Sequence, residues 1–358
     1  TSYHAVRFFI TKDQQPLGGD TQFMATIKDV ARLAGVSVAT VSRVLNSSPK
    51  TSPESREAVK KAMDELKYHP NANARALSHQ GNETLGIVVG DVSTPFFGIM
   101  VKAVDQVAYA TGNFLLVGNS YHDAKRERKA IEQLLRHQCA GIVVHAMMLS
   151  DEELQHFMAH VPGMVMINRT VPGYESRCIN LDNRFGAELA TNHLIQQGHR
   201  SIAYLSSSYQ IADAFERQQG YIDALTQHGI PVDERLIIQG TPDEIGGERA
   251  VVELLNQGRK VTGIVCYNDP MAAGALSALS DNGIQVPTQI SVIGFDDVLI
   301  TNYLQPHLTT IRYPVIEMAT QAARLAIALA HGEPAPDVTN LFIPTLVRRY
   351  SVIPVVPV

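Results

Sequence analysis

Seven residues crowded between Ser37 and Asn46 carry a chemistry suited to a nucleic-acid groove. Arg43 has the planar fork that can meet guanine O6 and N7 together, and Val38 and Ala39 are small enough to sit against thymine methyls. Ser37, Thr40, Ser42 and Asn46 offer hydroxyl and amide groups suited to phosphate oxygens, which fix register without reading sequence. Thr26, just upstream, is read as a further contact of this kind. Elsewhere the chain lacks the spacings that mark catalysis: there is no P-loop, GxSxG, GxGxxG or metal-spaced His cluster, and the 13 His are scattered. The sequence is therefore read as a non-enzyme with no cofactor and no metal site.

The elements that must hold those seven residues are short helices. Thr26-Ile-Lys-Asp29 reads as a capping box, and Ile27, Val30, Ala31 and Ala34 recur at helical spacing. Gly35 ends that helix in the left-handed conformation, and Ser37 caps the next, which runs from Val38 to Leu45. Val41, Val44 and Leu45 turn inward and leave the candidate contact residues on other faces. Ser52-Pro53-Glu54 opens a third helix with the apolar stripe Ala58, Val59, Ala62, Met63 and Leu66. Two short helices joined across Gly-Val-Ser and closed by a third form a helix-turn-helix unit, whose second helix is expected in the major groove.

Charge agrees with this division. The net charge of −5 conceals nine Lys/Arg against six Asp/Glu from Met24 to Thr84, a net of +3. Residues 1–23 balance, which leaves −8 from Leu85 onward. A basic head on an acidic body is expected when one end meets phosphates. Residues 1–23 show no signal-peptide or helical pattern and read as an extension that is non-native or upstream of a natural start at Met24. The three cysteines are odd in number and widely separated, which suits reduced, buried thiols in a cytoplasmic protein. No apolar run is long enough to span a membrane.

From Leu85 onward apolar runs alternate with helical segments of about 12–18 residues. The runs are Leu85–Val89, Phe114–Val117, Gly141–Val144, Met164–Ile167, Ile202–Leu205, Thr262–Cys266 and Ser291–Phe295. Such alternation specifies parallel α/β sheets, and this many buried strands predicts two doubly wound halves.

The ungapped run Ala25-Thr-Ile-Lys-Asp-Val-Ala-Arg-Leu-Ala-Gly-Val-Ser-Val-Ala-Thr-Val-Ser-Arg-Val-Leu-Asn46 resembles the amino-terminal signature of the lactose/galactose repressor family. Tyr68-His-Pro-Asn-Ala-Asn-Ala-Arg-Ala-Leu77 is similar to that family's hinge helix, and the likeness continues along the rest of the chain. The resemblance implies a small all-α helix-turn-helix head at 24–69, a hinge helix and linker at 70–83, and an α/β two-lobed periplasmic-binding-protein-like core with doubly wound parallel sheets at 84–348. A tail at 349–358 follows. The resemblance places the crossings between lobes near 183, 312 and 338. It also implies a homodimer on a palindromic operator in double-stranded DNA, with Leu77 wedged into the minor groove and Asn71 and Ala74 contacting it.

In such a body the ligand is expected at the carboxyl ends of the strands. Asp91 and Phe96 follow the first strand, His145 the third and Asn168-Arg169 the fourth. Arg217 lies after the strand ending at Leu205, while Asn268 and Asp296 close two later strands. The resemblance makes Arg217, Asn268 and Asp296 principal effector contacts. Their donors and acceptors suit hydroxyls, and Phe96 supplies an apolar plate for a C–H face. Asn113–His122, Cys178–Asp182 and Thr345–Arg349 resemble the galactose-responsive branch, which implies D-galactose as inducer of a cytoplasmic, nucleoid-associated repressor. Another sugar, or a purine corepressor, remains open. A free solute-binding protein would share the body but lack the basic head.

Overall fold

Side-chain caps start the elements of the helical head as the sequence predicts. The computed structural model describes residues 25–45, 48, 50–68 and 84–355. The expectations for 1–23, for Asn46 and for the hinge with Asn71, Ala74 and Leu77 lie outside the described residues. In the head, α1 (Ile27–Leu33) begins where the Asp29 carboxylate accepts from the Thr26 backbone N–H at 2.9 Å and from its hydroxyl at 2.6 Å. Gly35 takes φ +66° and turns the chain. Ser37 Oγ then accepts from the Thr40 N–H at 3.1 Å and opens α2 (Val38–Leu45). Ser52 Oγ caps α3 (Pro53–Glu65) through the Ser55 N–H at 3.2 Å. Val30, Ala31, Val41, Val59 and Ala62 form the buried core, with Ile27, Val44, Leu45, Met63 and Leu66 packed around it.

The second unit contains two parallel-dominated sheets, each covered by helices. Its first lobe uses β1 (Thr84–Val89), α4 (Pro95–Ala110), β2 (Phe114–Asn119), α5 (Ala124–Arg136), β3 (Gly141–Val144), α6 (Asp151–His160), β4 (Met164–Ile167) and β5 (Cys178–Leu181). The second uses α7 (Asn183–Gln196), β6 (Ile202–Ser207), α8 (Ala212–Gln227), β7 (Ile237–Gly240), α9 (Glu244–Asn256), β8 (Gly263–Cys266), α10 (Asp269–Asp281), β9 (Ser291–Asp296) and β10 (Thr309–Arg312). The chain then returns through α11 (Val315–Ala330) and β11 (Leu341–Phe342) to the first lobe, and ends with β12 (Thr345–Val347) on the second. The sheet orders are β11-β5-β4-β3-β1-β2 and β12-β10-β9-β8-β6-β7. Only the β10–β12 pairing is antiparallel among the described strands.

The doubly wound expectation holds, with local differences. The third crossing falls at 343–344, between β11 and β12, rather than near 338. The first two fall at 182 and 313–314, close to their expected places. The run Phe114–Val117 is not buried: β2 is an edge strand, and Phe114 is 72 % exposed. The stretch expected as a tail is packed as far as Val355, whose N–H donates to Gln197 O at 2.8 Å. Ser351 is fully buried, with its hydroxyl donating to Val292 O at 2.6 Å and accepting from the Thr309 N–H at 2.8 Å.

Candidate functional site

On α2 the outward residues are Val38, at 41 % exposure, with Ala39 and Arg43 also exposed and Thr40 and Ser42 half-buried. Packing of Val41 into the three-helix core sets this orientation, because residues at other helical angles then face solvent. Arg43 is thus presented on the exposed side of α2. Ser37 and Thr40 share a hydroxyl contact at 2.9 Å at the start of the helix, where backbone N–H groups favour phosphate. Thr26 is exposed, with its hydroxyl proton directed to Asp29.

In the second unit the strand ends converge on a cavity of about 100 Å³. That is room for several groups of water size, which need about 10–15 Å³ each. Phe96, His145, Asn168, Arg217, Asn268 and Asp296 all line it. Arg217 rises from the second turn of α8 and is 3 % exposed. Its Nε donates to Asn183 Oδ1 at 2.9 Å and Nη1 to Tyr267 O at 2.7 Å. The guanidinium lies 3.7 Å from the Phe295 ring centroid and 3.6 Å from the Asp296 carboxylate. A rigid planar cation with this many fixed partners needs no rearrangement to present its remaining N–H groups.

The remaining polar residues tie the two lobes together. Asn168, at φ +61° after β4, donates from Nδ2 to Asp213 Oδ2 at 3.1 Å. Its Oδ1 accepts from Asn183 Nδ2 at 2.9 Å, so Asn183 at the first crossing joins Asn168 to Arg217. Burial pushes the Asp296 carboxyl up to about 7, against the opposing pull of Arg217. Burial also holds the His145 ring down at about 4, so it is neutral at physiological pH. Asn268 caps α10 through the Met271 N–H at 2.9 Å and donates to Pro242 O at 2.9 Å, which leaves it little free capacity.

Two sequence candidates stand apart from the cavity lining. Asp91 folds onto its own turn, accepting from the Ser93 N–H at 2.9 Å. Arg169 points away from its neighbour Asn168, to Asp151 Oδ1 at 2.8 Å and Ala146 O at 3.4 Å. Conversely, the cavity includes His122, Tyr209, Asp213, Tyr267 and Tyr313, which the sequence reading did not name. Asp213 is four residues before Arg217, hence on the same helix face, and that spacing was the available signal. His122 and Tyr209 come from opposite lobes with ring centroids 4.8 Å apart.

The model of bacterial regulatory proteins of the lacI family matches residues 26–71, and a periplasmic binding protein-like domain matches 191–352. The chain is 64 % identical to the HTH-type transcriptional regulator GalR of Escherichia coli (strain K12) over 329 residues, covering 92 % of this chain and 96 % of that one. It is 54 % identical to the regulator GalS of Salmonella typhimurium (strain LT2), covering 92 % and 97 %. Among solved structures, the lac repressor dimer bound to operator and the anti-inducer ONPF aligns with a TM-score of 0.77 at 27 % identity, covering 92 % of this chain and 99 % of that one. The chain belongs to the lacI family of bacterial regulatory proteins, and is a DNA-binding transcriptional regulator, not an enzyme.

Proposed function

We propose that the chain represses genes of galactose transport and metabolism and leaves its operator on binding D-galactose in the cleft. One observation carries the sugar reading. His145 Nδ1, Asp213 Oδ1 and the Tyr313 hydroxyl belong to residues lining the cavity, are buried, and have no hydrogen-bond partner among the described residues. Buried polar atoms without partners are costly, and a ligand bearing several hydroxyls would satisfy all three. Phe96 and Tyr313, with ring centroids 4.9 Å apart, supply an apolar surface for a sugar C–H face. Arg217, Asp296, Asn168 and His145 bind effector directly in this reading, with Asn268 giving one remaining donor.

Arg43, Val38 and Ala39 read base edges, and Ser37, Thr40, Ser42 and Thr26 meet the backbone. The head at 24–69, the hinge at 70–83 and the sensing body from 84 form the output, link and input of the switch. Exposed Tyr109, Phe114 and Val117 beside the free edge of the first sheet suit a second copy of the chain, as a palindromic site requires. The regulator then acts in the cytoplasm, at the nucleoid. Sugar must bind the operator-releasing state more tightly than the operator-bound state, or nothing shifts. The test is an operator titration at fixed salt with and without D-galactose. Weaker operator binding with sugar is expected; tighter binding, or no response, rejects the inducer reading.

A further inference from the structure

The loop after β3 belongs to both lobes. Ala146 and Leu149 pack in the first-lobe core, whereas Met147, 6 % exposed, belongs to the second-lobe core with Ala203, Leu205 and Ile211. Ile211 also lines the cavity. Met147 is therefore a peg from one lobe seated in the other, two residues beyond His145 on the cavity wall. Separating the lobes would draw it out.

The base of this peg is held by a buried charge. Glu127 on α5 is fully buried, and its Oε1 accepts from the Met147 N–H at 2.9 Å. Its Oε2 accepts from the Met148 N–H at 3.0 Å and the Leu149 N–H at 2.9 Å. Three successive backbone amides thus converge on one carboxylate, the arrangement that elsewhere cradles a bound anion. Arg169 holds the same loop from its other side through Ala146 O and Asp151. A buried carboxyl is costly without hydrogen bonds, and the three backbone N–H groups that supply them here tie the loop to α5.

We propose that Met147 is a latch for the closed cleft and Glu127 its positioning residue, so that the pair sets effector affinity without touching effector. The proposal rests on reading the cleft as the effector site. A ligand that needs the closed cleft binds in proportion to the closed fraction, and a shortened peg lowers that fraction. Because sugar is read as favouring a closed, operator-releasing state, a smaller closed fraction costs the operator-bound state nothing.

The experiment uses the full chain with Met147→Ala, Met147→Leu and Glu127→Gln. D-galactose affinity is measured by calorimetry, operator affinity in the absence of sugar, and amide exchange in the apo protein. Met147→Ala should weaken D-galactose roughly tenfold while sugar-free operator affinity stays equal or rises, and Met147→Leu should stay within about twofold of the parent. Glu127→Gln should weaken sugar similarly and speed exchange of the Met148 and Leu149 amides. A Met147→Ala chain that binds sugar like the parent overturns the latch, as does a Met147→Leu chain that loses sugar and operator binding together. If the parent itself ignores D-galactose, the sugar reading fails, and exchange at residues 209–214 decides the latch alone. Faster exchange there in Met147→Ala supports it, and unchanged exchange refutes it.

Discussion

Replacing Asp296 by Asn should make the protein more stable at pH 8 than at pH 5 by comparison with the parent. Burial is the largest influence on this carboxyl, with Arg217 opposing it and Asp213 adding to it, and the group sits at about 7 rather than at the ordinary 3.8. A carboxyl whose folded value is raised holds its proton in the native state over a range where the unfolded chain has released it. Stability therefore falls as pH rises through the window from about 4 to about 7. At 1.36 kcal/mol per pH unit, that gap amounts to about 4 kcal/mol once Asp296 is ionised. Asn removes the penalty and keeps an oxygen that can accept from Arg217, while loss of the ion pair returns part of the gain. A net relative stabilisation of about 1–3 kcal/mol by pH 8 is expected. Asn also tolerates the φ of +114° at this position better than most residues. Asp269, pushed up by burial and then by the Asp296 charge, relaxes in the same direction. The assay is urea unfolding of both proteins at half-unit steps from pH 5 to 8. Parallel stability curves would refute the reasoning, because Asp296 would then titrate as an ordinary surface acid.

Two further substitutions probe the head and the body. Arg43→Ala should cost about 1–3 kcal/mol of specific operator affinity in a gel-shift titration and relax discrimination at one base pair, with D-galactose affinity unchanged. Gly220→Ala places a Cβ 2.0 Å from Arg184 O, where α8 crosses α7, and should lower stability in thermal unfolding by about 1–3 kcal/mol because backbone cannot yield as a side chain can.

What was legible in the sequence follows from burial on both faces. β1, β3, β4, β6, β8 and β9 are central or nearly so, and their unbroken apolar runs stand out. Strands β5, β7 and β10 contain Asn180, Gln239, Thr309 and Thr310, whose polar groups blur the pattern. Thr310 is polar for a tertiary reason, since its hydroxyl donates to the buried Asp269 carboxylate at 2.6 Å. Missing β10 meant missing Tyr313, which stands just beyond its end. Six of the eight residues expected near strand ends line the cavity, but the strand-end rule could not say which of two consecutive residues faces inward. Asn168 and Arg169 therefore looked equivalent, although the left-handed backbone at Asn168 turns them apart. His122 and Tyr209 depend on how two lobes meet, and no local spacing encodes that.

The charges in the cavity also bear on what it can hold. Arg217 faces the carboxyls of Asp213 and Asp296, and burial holds the His145 ring neutral, so the cavity offers an anion no excess of positive charge. A neutral polyol can donate to the carboxylates and accept from the guanidinium without bringing a counter-charge, whereas an anionic ligand would meet two carboxylates at close range. Sugar binding should then release few ions, and D-galactose affinity should change by less than about twofold between 50 and 200 mM salt. The head behaves oppositely, because each phosphate it neutralises releases counterions, and operator affinity should fall at least about a hundredfold over the same range. Measuring both slopes on one chain separates the two surfaces by physics alone. A sugar affinity that falls steeply with salt would mean that the cavity carries an unbalanced charge, and the hydroxyl-matching argument for a neutral effector would be lost with it.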